Sequence, residues 1–218
     1  MTTEKTLEKT IEALTALTAG DVKRAGDVLE TIADQLRDDI RTKEAKKNGK
    51  TNALNAAKRI LKTAQKTPRP ALHKAFYNNG LQCICDGYRG AQLKKPLPLE
   101  ELPADTETIN FSRFLDDAKK NNDIILELPE LGALKTYIKL EKFKNKVAKT
   151  KDIIYCDFGP GLPFVNAEFL IDLLEILPGC KAYTAKNNFN IYFESDDGRG
   201  MLCSVRPGEN VERKKTEL

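Results

Sequence analysis

The sequence predicts an α+β fold, in which short amphipathic helices lie over antiparallel sheet and a helical hairpin precedes them. Two observations predict it. Helix-opening asparagines recur at Asn52, Asn110 and Asn166, roughly 55 to 58 residues apart, which indicates a repeated unit. Strand-like runs with tight turns follow each opening. We therefore expect an α+β domain over residues 52–207, built from repeats of one helix plus antiparallel strands.

The first 42 residues predict two helices with one apolar stripe each. Gly20 and Asp21 break the chain between them and open the second helix. A helical hairpin over residues 1–42 follows, and the pattern allows either packing within the chain or self-association. The first stripe contains Leu7, Ile11, Leu14 and Leu17, and the second contains Ala25, Leu29, Ile32 and Leu36.

A basic linker over residues 43–51 leads to the first repeat. Its helix is expected from Asn52 to about Gln65, where a Pro-rich stretch ends it. Three strands follow in the sequence pattern, with an Asn-Gly hairpin signal between the first two. Their expected ranges are 75–77, 81–85 and 91–93, before the Pro-rich exit over 96–103.

The second repeat opens at Asn110 with an amphipathic helix. Strands are expected over 124–128 and 134–140, because apolar and polar residues alternate in the latter run. The Lys-rich residues 142–151 predict a connection, and a further strand covers 153–158.

The third repeat opens at Asn166, and its helix reaches Leu177 before Pro178. Strands over 190–194 and 201–205 close the domain, joined by an Asp-Gly turn. The charged residues 208–218 predict a disordered tail.

Charge is distributed unevenly along the chain. Residues 43–95 carry thirteen Lys and Arg against two acids, a net charge of +11, whereas residues 1–42 have −3 and the remainder −4. Such asymmetry favours a polyanionic partner. The chain has no apolar run of about 20 residues, which is the length that crosses a bilayer, and its beginning lacks the pattern of a secretory signal. We expect a cytoplasmic protein without a membrane partner.

Catalytic and metal-binding patterns are weak. Five Cys without an export signal predict structural thiols, and a single His leaves no ligand set for zinc, so we expect no metal or other cofactor. The run Asp157-Phe158-Gly159 resembles the magnesium-binding tripeptide of protein kinases, but the other kinase segments are lacking, and a strand end with a turn explains it. Asp196 and Asp197 precede Gly198, which predicts a hairpin turn. We expect a non-catalytic protein.

The helix from Asn52 carries the sharper functional pattern. At 100° per residue its apolar residues fall in one arc and its basic residues in the opposite arc. This basic face predicts contact with the phosphates of a nucleic acid, and the alternative is an ordinary solvated face. The residues concerned are Lys58, Arg59, Lys62 and Lys66, followed by Arg69 and Lys74.

Several segments together resemble the bacterial DNA sliding clamp, the beta subunit of the replicative polymerase. The run of residues 81–91, with Asp86-Gly87-Tyr88-Arg89 at its centre, is similar to a strand-turn-strand of that family. Residues 109–119 resemble its next inner helix, residues 164–174 its last helix, and residues 201–207 its closing strand. The likeness spans about residues 52–207 in separate pieces.

The resemblance implies a fold and a partner. Clamp domains place short helices inside a ring and sheets outside, so Lys58, Arg59, Lys62, Lys66, Arg113 and Lys120 would face double-stranded DNA. The basic pattern adds Arg69 to the residues expected to contact DNA. The function implied is binding of duplex phosphates without sequence preference, with replication proteins as further partners. The chain is shorter than a clamp subunit, the third helix presents Glu168, Asp172 and Glu175, and the hairpin has no counterpart in the family.

A second function fits the same residues. A protein interaction or scaffold module could retain the clamp fold without binding DNA, with the hairpin or an outward sheet edge as its partner surface. An enzyme is the third option and has no motif in its favour.

Overall fold

The computed structural model describes residues 3–103, 105–150, 152–186, 190–206 and 213–218. The chain forms two compact units, Met1–Thr51 and Asn52–Leu218. The second unit contains both helices and strands, and the α+β class predicted from the sequence is confirmed.

The first unit is a helical hairpin of α1 (Thr3–Thr18) and α2 (Val22–Lys47). Gly20 turns the chain with φ 78°, and the Asp21 side chain caps α2 by accepting a hydrogen bond from Arg24 N. Small residues are buried along the hairpin, whereas most of the leucines and isoleucines predicted as apolar stripes are exposed. The buried residues are Ala13, Ala16, Ala25, Ile32 and Ala45, and the exposed ones are Leu7, Ile11, Leu14, Leu17, Leu29 and Leu36.

The basic linker expected over residues 43–51 differs from the structure. Helix α2 continues through Lys47 and α3 (Thr51–Ala64) begins four residues later, so residues 48–50 alone connect them. The apolar arc of α3 is buried as expected, from Leu54 to Ala64. A short 3-10 turn, Pro70–Leu72, follows α3.

One antiparallel sheet of seven strands forms the centre of the second unit, in the order β1-β2-β3-β9-β8-β7-β4. Its strands are β1 (Phe76–Asn78), β2 (Leu81–Cys85), β3 (Arg89–Leu93), β4 (Ile124–Leu126), β7 (Lys181–Thr184), β8 (Asn190–Glu194) and β9 (Gly198–Cys203). A separate two-stranded sheet pairs β5 (Tyr155–Asp157) with β6 (Phe164–Asn166). The three remaining helices are α4 (Phe111–Asn121), α5 (Leu131–Ala148) and α6 (Ala167–Ile176).

Helices α4 and α6 lie on opposite faces of the large sheet. A Cβ added to Gly90 of β3 would meet Phe111 of α4, and one added to Gly200 of β9 would meet Leu173 of α6. Gly90 pairs with Met201, so Gly200 is one residue out of register with it and points to the other face. The sheet therefore lacks the single helical layer that the clamp resemblance implies, and the three-unit repeat is not confirmed.

Helix α5 replaces a strand and a connection that the sequence predicts. The strand expected over 134–140 and the connection over 142–151 form one continuous helix from Leu131 to Ala148. Leu134 and Ile138 are buried, four residues apart as on one helical face, while Leu140 is 57% exposed. The apolar alternation is thus a coincidence of spacing.

The end of the chain returns to the second unit. The Arg213 guanidinium donates hydrogen bonds to both Asp157 carboxylate oxygens at 2.8 and 2.6 Å and to the carbonyl of Gly159 at 2.8 Å. The Thr216 N–H donates a hydrogen bond to the Asp157 carbonyl, and the Thr216 hydroxyl accepts one from the Asp157 N–H. The disordered tail predicted from residue 208 is therefore wrong for residues 213–218, and residues 208–212 lie outside the described part.

No helix within the described ranges combines the length and the apolar character that crossing a bilayer requires.

Candidate anion-binding groove

A groove of about 520 Å³ opens between α3 and α5 above the surface of α6. Seven of the side chains that line it are cationic and three are acidic, which leaves a net charge of +4. The cations are Arg59 and Lys62 of α3, Lys66 of the turn after α3, Arg89 of β3, and Lys135, Lys139 and Lys142 of α5. The acids are Glu168, Asp172 and Glu175 of α6.

Helical periodicity builds both walls. Residues 59 and 62 of α3 lie about 60° apart at 100° per residue, and Lys66 follows in the turn after the helix. Residues 135, 139 and 142 of α5 fall within about 60° of one another. The opposite faces are anchored in the core, through Ile60 in α3 and through Leu134 in α5. Each helix therefore presents a basic stripe to the groove.

The three acids of α6, which form the floor of the groove, are held in ion pairs. Arg59 bridges two of them, with Nε 2.6 Å from Asp172 Oδ1 and Nη2 2.6 Å from Glu175 Oε2. Lys135 Nζ lies 2.5 Å from Glu175 Oε1, and Lys142 Nζ lies 2.5 Å from Glu168 Oε1. The acids of α6 are thus neutralised by cations of the two walls.

Burial governs the pKa values of this network. Burial raises the pKa of the Asp172 carboxyl above its usual value, and the Arg89 and Arg59 guanidiniums oppose that shift. Burial works against the charge on Arg59, but its pairs with Asp172 and Glu175 leave its pKa raised. Arg59 remains a cation in this setting.

Arg89 lies under the groove and is almost completely buried. Its Nη2 is 3.1 Å from Asp172 Oδ2, its Nε is 3.4 Å from Asp86 Oδ2, and its guanidinium stacks 3.6 Å from the centre of the Phe169 ring. Burial lowers its pKa from the ordinary value. Its Nη1 has no hydrogen-bond partner among the described residues, so the network leaves donor capacity unused at this depth.

Three lysines of the groove stay unpaired. Lys62, Lys66 and Lys139 are exposed, and no ion pair joins any of them to another residue in the described part of the chain. They come from both walls, Lys62 from α3, Lys66 from the turn after α3, and Lys139 from α5. The groove therefore offers ammonium groups to an anion above a neutralised floor.

The structure divides the seven residues that the sequence predicted for DNA contact. Arg59, Lys62 and Lys66 line the groove, but Arg59 is engaged by Asp172 and Glu175. Lys58 and Arg69 are outside the lining. Arg113 and Lys120 belong to α4, on the sheet face opposite α6, and neither lines the groove.

Sequence reasoning missed the second wall. The sequence pattern placed Lys135 and Lys139 in one strand and Lys142 in the connection after it, so the three were not expected to line one wall. Their spacing of four and three residues matches a helical stripe. This spacing was the signal that could have identified them.

The described residues contain no cluster of three or more His, Cys, Asp and Glu side chains that could hold a metal ion. Three thiols are buried, and burial raises the pKa of Cys83 to about 11 and those of Cys85 and Cys156 to about 12. Such thiols are protonated at neutral pH and unreactive. Their structural role agrees with the sequence analysis.

The chain was compared with protein-family models, curated proteins and solved structures, and none of them matches it.

Proposed function

We propose that this protein binds DNA non-catalytically through the phosphate backbone, with no preference for base sequence. The supporting observation is the position of the unpaired Lys62, Lys66 and Lys139 on two facing walls. Ammonium groups on flexible stems contact phosphates as point charges and read no base edges. The groove of α3, α5 and α6 requires no closed ring for this contact.

The proposal predicts a salt dependence. Three lysines that neutralise three phosphates of a duplex give a slope of about −2.7 in log affinity against log salt. Affinity is then expected to fall about 40-fold between 50 and 200 mM salt. A groove that binds through apolar contact alone would give a slope near zero.

Fluorescence anisotropy with labelled DNA of unrelated sequences tests the proposal. We expect the variant Lys62→Gln/Lys66→Gln/Lys139→Gln to lose at least tenfold in affinity at low salt and to flatten the salt slope. The control is Lys94→Gln/Lys181→Gln/Lys214→Gln, which removes the same charge from exposed positions outside the groove. Equal losses in both triple variants would show diffuse attraction by net charge and would reject the groove.

A further variant tests whether DNA contacts the groove or the surface of α4. Arg113→Gln/Lys120→Gln removes two cations that the clamp resemblance assigns to DNA contact. We expect this variant to bind within about twofold of the unmodified protein, because α4 and α6 lie on opposite sheet faces. A loss larger than that of the groove variant would transfer the DNA contact to α4.

A second candidate function, self-association, is favoured by the exposed apolar face of the hairpin. Eight Leu, Ile and Val side chains of α1 and α2 are each at least 45% exposed. Together they offer on the order of 500 Å² of apolar surface, near the apolar share of the roughly 800 Å² that one partner buries in a standard interface. Val22, Leu29 and Leu36 follow at seven-residue spacing, which presents one seam to a partner helix. We propose a second copy of this chain as the occupant.

Sedimentation equilibrium over a wide concentration range tests this second proposal. We expect the unmodified protein to move towards dimer mass and Leu29→Gln/Leu36→Gln to stay monomeric. Lys23→Gln/Glu30→Gln is the control, because it changes exposed α2 residues with no change in net charge. A monomer at every concentration would overturn this second proposal.

A further inference from the structure

The groove continues into an exposed aromatic edge, which indicates the class of nucleic acid that it binds. Resting on the proposed function, we infer that the groove takes single-stranded nucleic acid in preference to a duplex, with an unpaired base stacked on Tyr88 and its phosphates on the groove lysines.

Tyr88 is exposed but held firmly by its backbone. It lies in the turn between β2 and β3, where Asp86 Oδ1 accepts hydrogen bonds of 2.9 Å from the backbone N–H of both Tyr88 and Arg89. Gly87 supplies the positive φ of 91° that this turn needs. The Tyr88 side chain is nevertheless 57% exposed. A large apolar ring is thus presented to solvent on a fixed support.

Phe169 connects this ring to the groove. It is part of the groove lining, and the centre of its ring lies 6.4 Å from that of Tyr88, with the planes inclined by 36°. The buried Arg89 guanidinium stacks on Phe169 at 3.6 Å and fixes it from below. Tyr88 and Phe169 therefore form an aromatic edge that borders the cationic walls.

The combination fits a single strand. Proteins that bind single strands combine a positively charged groove with aromatic rings on which bases stack, and each stacked base contributes about 1–3 kcal/mol. Bases in a duplex are stacked on one another and have no free face for Tyr88. A groove of about 520 Å³ is also the size of a small-ligand site rather than of a double helix.

The lysine spacing favours a strand over a lone nucleotide. Lys62 is in the last turn of α3, and Lys66 follows in the turn after the helix. Both line the groove, so their ammonium groups can serve neighbouring phosphates of one strand. Lys139 lies on the opposite wall, where it can contact a further phosphate of the same strand.

The test compares three probes by anisotropy or competition: an oligothymidylate, a duplex, and a single thymidine nucleotide. We expect the oligothymidylate to bind best, and Tyr88→Leu to weaken it about tenfold, by the loss of one stacked base. Duplex binding by Tyr88→Leu should stay within twofold of the unmodified protein. Tyr88→Phe should retain the affinity for the single strand, because it keeps the ring and removes the hydroxyl alone.

Phe114→Leu provides the matched control. Phe114 is 54% exposed on α4, on the other sheet face, so its loss should leave all three affinities unchanged. Both substituted rings are solvent-exposed, and thermal unfolding should confirm that both variants remain folded.

The outcomes separate this inference from the proposed function. If the groove-lysine variant loses affinity but Tyr88→Leu binds the oligothymidylate normally, the stacking inference is overturned and phosphate binding stands. Tighter binding of the duplex, or equal binding of the single nucleotide and the strand, also overturns it. If none of the probes binds at low salt, the proposed function itself fails.

Discussion

Cations of the groove are of two kinds, according to what their nitrogens contact. Arg59 holds two carboxylates, one of them on the buried Asp172, whereas Lys62 points to solvent three residues later. Removing one partner of a buried pair leaves a charge without compensation, while removing an exposed charge changes little. Position on the helix alone does not distinguish these roles.

Loss of Arg59 should destabilise the fold more than loss of Lys62. We expect Arg59→Gln to lower the free energy of unfolding by about 2 kcal/mol, since Asp172 and Glu175 lose a charge-assisted donor. Lys62→Gln should change it by less than about 0.5 kcal/mol. Urea denaturation of both variants measures the difference, and equal stabilities would show that the Arg59 ion pairs contribute nothing net.

Arg213 should make the docking of the chain end depend on pH. Burial alone would raise the pKa of Asp157, but the hydrogen bonds from Arg213 outweigh it, and the pKa lies below its usual value. The docked chain end therefore contributes stability above the ordinary carboxyl pKa of about 3.9, and this contribution is lost as the pH falls through the lowered value.

In Arg213→Gln the Asp157 carboxyl should titrate at a higher pH, which carboxyl NMR measures. Residues 213–218 should also become more susceptible to proteolysis at neutral pH. The control Lys214→Gln removes a neighbouring exposed charge and should change neither. An unshifted Asp157 in Arg213→Gln would contradict the contact.

At the scale of elements, close packing of α4 on β3 depends on a missing side chain. A Cβ at Gly90 would lie 2.7 Å from both the Ile84 carbonyl oxygen and Phe111 Cζ. The carbonyl belongs to the neighbouring strand and cannot rotate away. Helix α4 therefore sits at a distance that glycine alone permits.

We expect Gly90→Ala to lower the free energy of unfolding by about 1–3 kcal/mol through overpacking. Gly132→Ala in α5 is the matched control, because nothing lies within 4 Å of its added Cβ. Its change should be neutral or stabilising, by up to about 1 kcal/mol. Thermal unfolding of both variants measures the contrast, and a neutral Gly90→Ala would show that α4 can shift freely.

Local signals predicted those elements whose ends carry their own chemistry. Asn110 and Asn166 cap α4 and α6, with side-chain oxygens that accept backbone N–H groups of the first turn. Asn79 and Gly80 both adopt positive φ in the β1–β2 turn. In each case the sequence contains the interaction that determines the structure.

Other elements depend on distant partners and were missed. Strand β7 is four residues long and is defined by its pairing with β4 and β8. Helix α5 and a strand fit Leu134 and Ile138 equally well, and packing against α6 decides between them. The groove combines residues near 60, 140 and 170, so a wrong assignment of α5 concealed half of it.

At the scale of the whole molecule, the two units differ in how much apolar surface they bury. The hairpin of Met1–Thr51 buries mainly alanines, whereas the unit of Asn52–Leu218 buries Phe, Tyr, Leu and Ile side chains around its sheet. Alanine burial contributes little transfer free energy. The hairpin is therefore expected to open more readily than the sheet.

Hydrogen exchange tests this difference. We expect amides of α1 and α2 to exchange at least 100-fold faster than those of β3 and β9 at low protein concentration. Protection of α2 should rise with concentration if a second copy covers Leu29 and Leu36. Exchange that is slow and independent of concentration would show that the hairpin is stable by itself.

The central pair of the sheet joins distant parts of the chain. Strand β3 ends at Leu93 and pairs with β9, which begins at Gly198. On the ribosome, β1, β2 and β3 emerge long before β9 has been made, and the outer edge of β3 then has unpaired amides and carbonyls. Such an edge attracts other nascent strands. Productive folding of the sheet must therefore wait until β9 has been made, and yield in the cell should depend on chaperones that shield β3 during that interval.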